Sequence, residues 1–190
     1  MAGRADCSDE ELMLRYCAGD AGAFDALYRR HKGGLYRYLL RQCRESGAAE
    51  ELFQDIWMNL IRARSSYTVA AKFTTYLYRL AHNRLIDHYR KHSSAVMLSF
   101  DDEDGPALEE PAASAQGQPE VRYESKQLAA RLLALLTALP EAQREAFILQ
   151  YETGMTVEEI ASATGVSHET VKSRLRYAIG KLRAGMGDWR

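Results

Sequence analysis

Long apolar runs, paired cysteines and β-patterned tracts are all missing from this sequence of 190 residues. No run approaches the roughly 20 apolar residues that a membrane span needs. The opening MAGRADCSDEELMLRY also lacks an apolar core of signal-peptide length. A soluble, cytoplasmic protein is expected. The cysteines, Cys7, Cys17 and Cys43, are scattered and odd in number, which argues against both a disulfide framework and a zinc site. They read as small residues in or near the core of a reduced protein. A glycine-rich phosphate loop of the P-loop type is absent as well, so nothing calls for nucleotide hydrolysis. No metal or cofactor is expected. Alternating Val, Ile and Thr tracts are lacking, whereas Ala, Leu, Arg and Glu dominate, and that balance predicts an all-α chain.

A net charge of −1 conceals an uneven distribution. Residues 1–92 carry 15 Lys/Arg against 11 Asp/Glu, and residues 126–190 carry 9 against 7. Residues 93–125 between them carry 1 against 8, together with Pro106, Pro111 and Pro119. Two mildly basic helical modules, 8–92 and 126–185, therefore flank an acidic linker with little periodicity. A polyanionic partner feels such local fields, not the whole-chain balance. Arg62 to Lys91 holds seven Lys/Arg with Asp87 as its one acid, and Val166 to Arg183 holds five with Glu169 as its one acid.

The second patch sits in LPEAQREAFILQYETGMTVEEIASATGVSHETVKSRLRYAIGKLR. Pro140 fits the first turn of a helix ending near Gly154. Thr156 and Glu159 have the spacing of a capping box for a short helix through Ala163. Gly165 permits a reversal, and Ser167 caps the next helix. Val157, Ile160 and Ala161 face Val166, Val171, Leu175, Ile179 and Leu182, one buried stripe. The result is a helix-turn-helix, whose second helix enters the major groove of DNA by its N-terminal part. Off the stripe lie Ser167, His168, Glu169, Thr170, Lys172, Ser173, Arg174 and Arg176. Hydroxyls and Arg can read base edges, while Lys172 and Arg176 suit phosphates.

The first module predicts a four-helix domain. Ser8 with Glu11 forms a capping box. Asp20 precedes AGAFDALYRRH, Gly33 and Gly34 interrupt the chain, and LYRYLLRQC follows. Ser46 caps GAAEELFQDIWMNLIRAR, which buries Leu52, Phe53, Ile56, Trp57 and Leu60. Its other face shows Glu51, Gln54, Asp55 and Asn59, which suits solvent or a basic protein partner but not phosphate. The loop ARSSYTVAAKF leads to FTTYLYRLAHNRLIDHYRKH, where Phe73, Leu77, Leu80, Ala81 and Leu85 line one side. Lys72, Tyr76, Arg79 and Asn83 recur on another. Cation, aromatic, cation and amide make a surface for unpaired nucleotides, with the loop as the wall of a pocket for an extruded base. Equally, Tyr76 can simply pack.

The whole chain resembles a bacterial sigma factor of the small extracytoplasmic-function (ECF) group, on three stretches in order. AAEELFQDIWMNL is similar to that family's polymerase-binding helix. FTTYLYRLAHNRLIDHYRK is similar to its promoter-melting, −10-reading helix, and the helix-turn-helix stretch to its −35-reading domain. The resemblance implies an initiation factor, not an enzyme, with core RNA polymerase, promoter DNA and an anti-sigma factor as partners. It assigns Glu51, Gln54 and Asp55, with Asn59 on the same face, to the polymerase. It assigns Ser65, Ser66, Tyr67, Lys72, Tyr76, Arg79 and Asn83 to the non-template strand at −10. Ser167, His168, Thr170, Lys172, Ser173, Arg174 and Arg176 go to the −35 duplex. The linker is similar to the segment that threads toward the polymerase active centre.

A linker of residues 93–125 stretches to about 110 Å but averages roughly 30 Å if flexible. It cannot hold two DNA readers at a fixed spacing, so the polymerase is expected to set that distance. Two rival readings use the same residues. A stand-alone helix-turn-helix regulator would bind its operator as a dimer. An enzyme acting on nucleic acid would use His82, Asp87 and His88 as metal ligands, yet residues 82 and 88 do not share a helical face.

Overall fold

The computed structural model describes residues 7–43, 45–96 and 119–187. Among them are eight α-helices, one 3-10 turn and no strand. The first module consists of α1 (Asp9–Cys17), α2 (Ala21–Cys43), α3 (Ser46–Arg62), the 3-10 turn Ala63–Ser66 and α4 (Phe73–Val96). The second consists of α5 (Pro119–Ala138), α6 (Glu141–Tyr151), α7 (Val157–Thr164) and α8 (His168–Gly187). Helix α5 thus begins inside the stretch read as linker, and the rest of that stretch, 97–118, lies outside the described residues.

Several helix ends follow from the chemistry of their caps. The Ser8 side chain accepts the Glu11 N–H at 3.2 Å, and the Glu11 carboxylate returns a bond to the Ser8 N–H at 3.0 Å. Thr156 and Glu159 do the same for α7, at 3.3 and 2.9 Å. Each box satisfies two amides that the first turn would otherwise leave without a partner. Gly165 ends α7 at φ 68°, the left-handed region that a Cβ disfavours, and so turns the chain into α8.

Three expected boundaries move. Gly33 and Gly34 do not break the chain; α2 runs through them for 23 residues. Each glycine costs a helix roughly 1 kcal/mol relative to alanine, but Leu27, Leu35, Tyr38 and Leu39 on the same helix are completely buried and hold it in place. The absent side chain is also used, since a methyl on Gly34 would come within 3.3 Å of Tyr78 Oη on α4. Ser46 is not the cap of α3: Glu45 takes that position without a side-chain bond, because its carbonyl already accepts the Ala49 N–H at 3.1 Å. Pro140 sits one residue outside α6, as its cap, where its carbonyl accepts the Gln143 and Arg144 amides at 2.9 Å.

Helices α1 to α4 enclose Leu12, Met13, Leu27, Leu39, Ile56, Leu60, Phe73 and Leu77, and α6 to α8 enclose Ile148, Leu149, Ile160 and Val171. These side chains belong to one continuous apolar cluster, so the modules pack directly on each other. Direct contact therefore sets their spacing in this structure, contrary to the expectation from linker length. The seam is polar where it crosses the core. Arg144 on α6 is 1% exposed and donates to Gln42 Oε1 and the Gln42 carbonyl, both at 3.3 Å. It also donates to the Thr137 and Leu139 carbonyls at 3.1 and 3.3 Å, so carbonyl oxygens solvate its charge in place of water. Beside it, Glu145 Oε1 accepts from Tyr38 Oη at 2.6 Å and from His82 Nδ1 at 2.8 Å.

Candidate nucleic-acid interface

The acidic face of α3 is open. Leu52, Ile56, Trp57 and Leu60 point into the core, and Trp57 meets Phe24, Tyr28 and Phe53 edge-on. A helical period of 3.6 then forces Glu51, Gln54 and Asp55 outward, where they are exposed, with Asn59 half-buried. Among the described residues no ion pair reaches this face. Met58 stands between them, 45% exposed, and the sequence reading missed it. An apolar residue off the buried stripe was the available signal.

The stripe leading into and along α4 is bonded to α7 at Lys72 and Arg79, although both residues, like Asn83, are exposed. Lys72 Nζ lies 2.7 Å from Glu159 Oε1 on α7, which raises the lysine pKa and lowers that of the carboxylate. Arg79 donates through Nη2 to Ser162 Oγ at 2.7 Å and through Nε to the Ser162 carbonyl at 3.2 Å. His82, the next residue along this side of the helix, is held by Glu145 and is not in a metal site. Among the described residues no group of His, Cys, Asp and Glu is placed to hold a metal ion.

Around the loop, Tyr76 is half-buried and meets Tyr67 edge to face, with centroids 5.2 Å apart. Burial pushes the Tyr67 phenol up to about 12. The two rings thus pack on each other instead of walling an empty pocket. Ser65 and Ser66 stand exposed in the 3-10 turn, the latter bonded to the Ala63 carbonyl at 3.0 Å. Asn83 is exposed and borders a shallow cleft of about 520 Å³ with Asn59, Arg62 and Arg84.

The start of α8 is largely open. Ser167 Oγ accepts the Thr170 N–H at 3.2 Å, the expected cap. His168, Lys172 and Arg176 are exposed; Lys172 pairs with Glu169 at 2.9 Å, and the Arg176 guanidinium lies 5.2 Å from the Tyr177 ring centre. Ser173 and Arg174 are half-buried. Arg174 borders the inter-module cleft with His82, Glu145 and Val166, so it stands apart from the exposed set. Beneath them Val171, Leu175 and Leu182 of the expected stripe are buried, while Val166 and Ile179 are half-buried.

Sequence reasoning overlooked the groups that join the modules. Glu145, Glu152 and Glu159 recur every seven residues and take His82, Arg41 and Lys72 as partners, the Arg41 pair at 2.6 Å. By its sequence spacing Glu159 is a cap residue alone. In fact Oε2 caps α7 while Oε1 holds Lys72.

Comparison with known proteins agrees with this layout. The Sigma-70 region 2 family model matches residues 27–95, and the Sigma-70 region 4 model matches residues 129–182. The ECF RNA polymerase sigma factor SigM of Mycobacterium tuberculosis is 30% identical over 185 residues, covering 97% of this chain and 88% of the relative. The ECF RNA polymerase sigma factor SigK of Mycobacterium bovis is 29% identical over 178 residues, covering 93% and 92%. Among solved structures, the sigma factor RpoE in complex with the anti-sigma factor NepR, from Bartonella quintana, aligns with a TM-score of 0.72. That alignment is at 22% identity, over 88% of this chain and 98% of that one. CnrH in complex with the cytosolic domain of CnrY aligns with a TM-score of 0.66 at 21% identity, over 96% and 99%. Those two likenesses describe the fold, whereas identity sustained along nearly the full length and two matched regions in order speak for descent: the chain belongs to the ECF RNA polymerase sigma factors.

Proposed function

We propose that this sigma factor binds core RNA polymerase through the acidic face of α3, reads the −35 duplex with the start of α8 and captures melted −10 bases on α4 and its preceding loop. In this reading residues 8–92 form the polymerase-binding and −10 module, 93–125 the connection, and 126–185 the −35 module. Glu51, Gln54, Asp55 and Asn59 meet a basic surface of the polymerase, with Met58 as an apolar anchor among them. Ser167, His168, Thr170 and Ser173 suit base edges, while Lys172 and Arg176 suit phosphates. Tyr76 and Tyr67 offer rings for unstacked bases, Lys72 and Arg79 neutralise the strand, and Asn83 reads an exposed edge. Capture of extruded bases offsets the few kcal/mol that unstacking costs, so strand opening requires no hydrolysis by this chain.

The observation that carries the reading is a capped helix-turn-helix whose second helix shows its polar N-terminal side to solvent, on the same chain as a separate stripe of cations and aromatics. An anti-sigma factor is proposed as a further partner, since RpoE of like fold was solved in complex with the anti-sigma factor NepR, and CnrH in complex with the cytosolic domain of CnrY. The test is to sequence the transcripts that purified bacterial core polymerase starts with and without the chain. New start sites sharing two upstream elements are expected. An unchanged set of start sites would defeat the proposal, and tight operator binding by the isolated chain as a dimer would replace it with a stand-alone regulator.

A further inference from the structure

We infer that α1, which carries no residue assigned to DNA, sets −10 selectivity: Glu10 and Cys17 position the reading loop by gripping its two ends. This rests on the reading of residues 65–72 as part of the −10 surface. The Cys17 thiol donates to the Arg64 carbonyl at 2.9 Å, where the loop begins. The Glu10 carboxylate accepts the Phe73 N–H at 2.6 Å, where the loop ends and α4 starts. These partners are 47 and 63 positions apart in sequence, so neither bond belongs to local turn chemistry. Glu10 and Cys17 stand about two turns apart on α1, which puts both on one face of that helix. Between them the Tyr16 ring carries the Arg64 guanidinium, 5.5 Å from its centre.

The loop does not hold itself. The first amides of a helix have no partner within it, and Ala70, Ala71 and Lys72 offer no side-chain acceptor to cap α4. A carboxylate from another helix supplies that cap, and its charge complements the helix dipole. Phe73 itself is completely buried, with its ring centre 5.1 Å from that of His31, so this anchor is rigid. Within the loop the Tyr67 N–H reaches the Arg64 carbonyl at 3.4 Å and the Ala70 N–H the Thr68 carbonyl at 2.9 Å. Thr68, Val69, Ala70 and Ala71 are exposed. Tyr67 Oη is buried with no hydrogen-bond partner among the described residues, which works against the tucked position of that ring. A segment so thinly bonded loses entropy when it binds, unless its ends are fixed beforehand. Fixed ends also prevent it from remodelling around a wrong base, and adaptable surfaces are the promiscuous ones.

The test uses core polymerase carrying the full chain, on a promoter found by start-site sequencing and on versions with single substitutions in each upstream element. The readout is a ratio of initiation rates, native over substituted element, in which any loss of folded protein cancels. E10A should lower the −10 ratio about fivefold, part of the worth of a charge-assisted hydrogen bond, and C17A about twofold. The −35 ratio should hold in both. E10Q keeps an acceptor oxygen and C17S keeps a donor, so each should recover most of the loss. R15A removes an α1 side chain that bonds Asp20 and not the loop, and should change neither ratio. Hydrogen exchange on the free chain supplies a reading without DNA: amides 65–73 should exchange faster in E10A and C17A, with α2 and α3 unaffected. Wild-type −10 ratios in both variants, −10 and −35 ratios that fall together, or unchanged exchange of the loop overturn the inference. The two failures are distinct. A wild-type chain that redirects no initiation removes the sigma reading, whereas redirected initiation with unmoved ratios removes only the role given to α1.

Discussion

Helices α3 and α4 of the first module each present a charged face, and the two faces have opposite fates. The acidic side of α3 stands open to solvent, whereas the cationic stripe of α4 is capped by Glu159 and Ser162 of α7. The difference teaches that sign decides which surface a chain can satisfy for itself. The second module brings carboxylates to the seam, so it can ligate cations but would repel an acidic face. Among the described residues the face without an ion pair is the one proposed to meet another protein.

The largest effect that could break this contrast is on the open side. Asp55→Lys should weaken core polymerase binding on the order of a hundredfold, since like charges at an interface cost several kcal/mol. Helicity should remain, because the residue is exposed; undiminished binding in a pull-down would move the interface off α3. A smaller effect is expected on the covering helix. Thr156→Ala removes the cap of α7 and should lower stability in urea by about 1 kcal/mol. No change in midpoint would mean that packing alone holds α7 over α4.

Acid titration sharpens the covered side. Pairing with Lys72 holds the Glu159 pKa below its ordinary 4.5, so the contribution is fully present above that value and is lost as the pH falls through the lowered one. Fluorescence transfer between dyes on the two modules should therefore be flat near neutrality and decline only in acid; a decline already at neutral pH would assign the contact to other groups. The mildest probe is the Cys43 thiol at the end of α2, which burial pushes up to about 11. It should alkylate slowly at neutral pH and faster in E152Q/E159Q if the seam opens. Equal rates would place the thiol outside the part that moves.

Much of the local structure was legible because it depends on neighbours in sequence. The capping boxes at Ser8/Glu11 and Thr156/Glu159, the reversal at Gly165 and the buried stripes of α3, α4 and α8 all involve residues a few positions apart. The misjudged features depend on distant partners. Gly33 and Gly34 stay helical because Leu27, Leu35, Tyr38 and Leu39 of the same helix are buried against other helices, and Tyr78 of α4 comes close to Gly34. Arg79 and Ser162 are 83 positions apart, and Tyr38 and Glu145 are 107 apart. Nothing local in Arg144, one charge on a helix with Glu141 and Glu145, signals a guanidinium that is 1% exposed. The α4 stripe was recognised as a binding surface, but its intramolecular ligand was not. The heptad recurrence of Glu145, Glu152 and Glu159 crosses a helix boundary, where periodicity ordinarily loses its meaning.

The unbroken course of α2 has a mechanical consequence. At 1.5 Å per residue its 23 residues make a strut of roughly 34 Å with no joint at the glycine pair. The first module therefore has no internal elbow there to bend. Any change in how the two modules sit on each other has its pivot outside that strut.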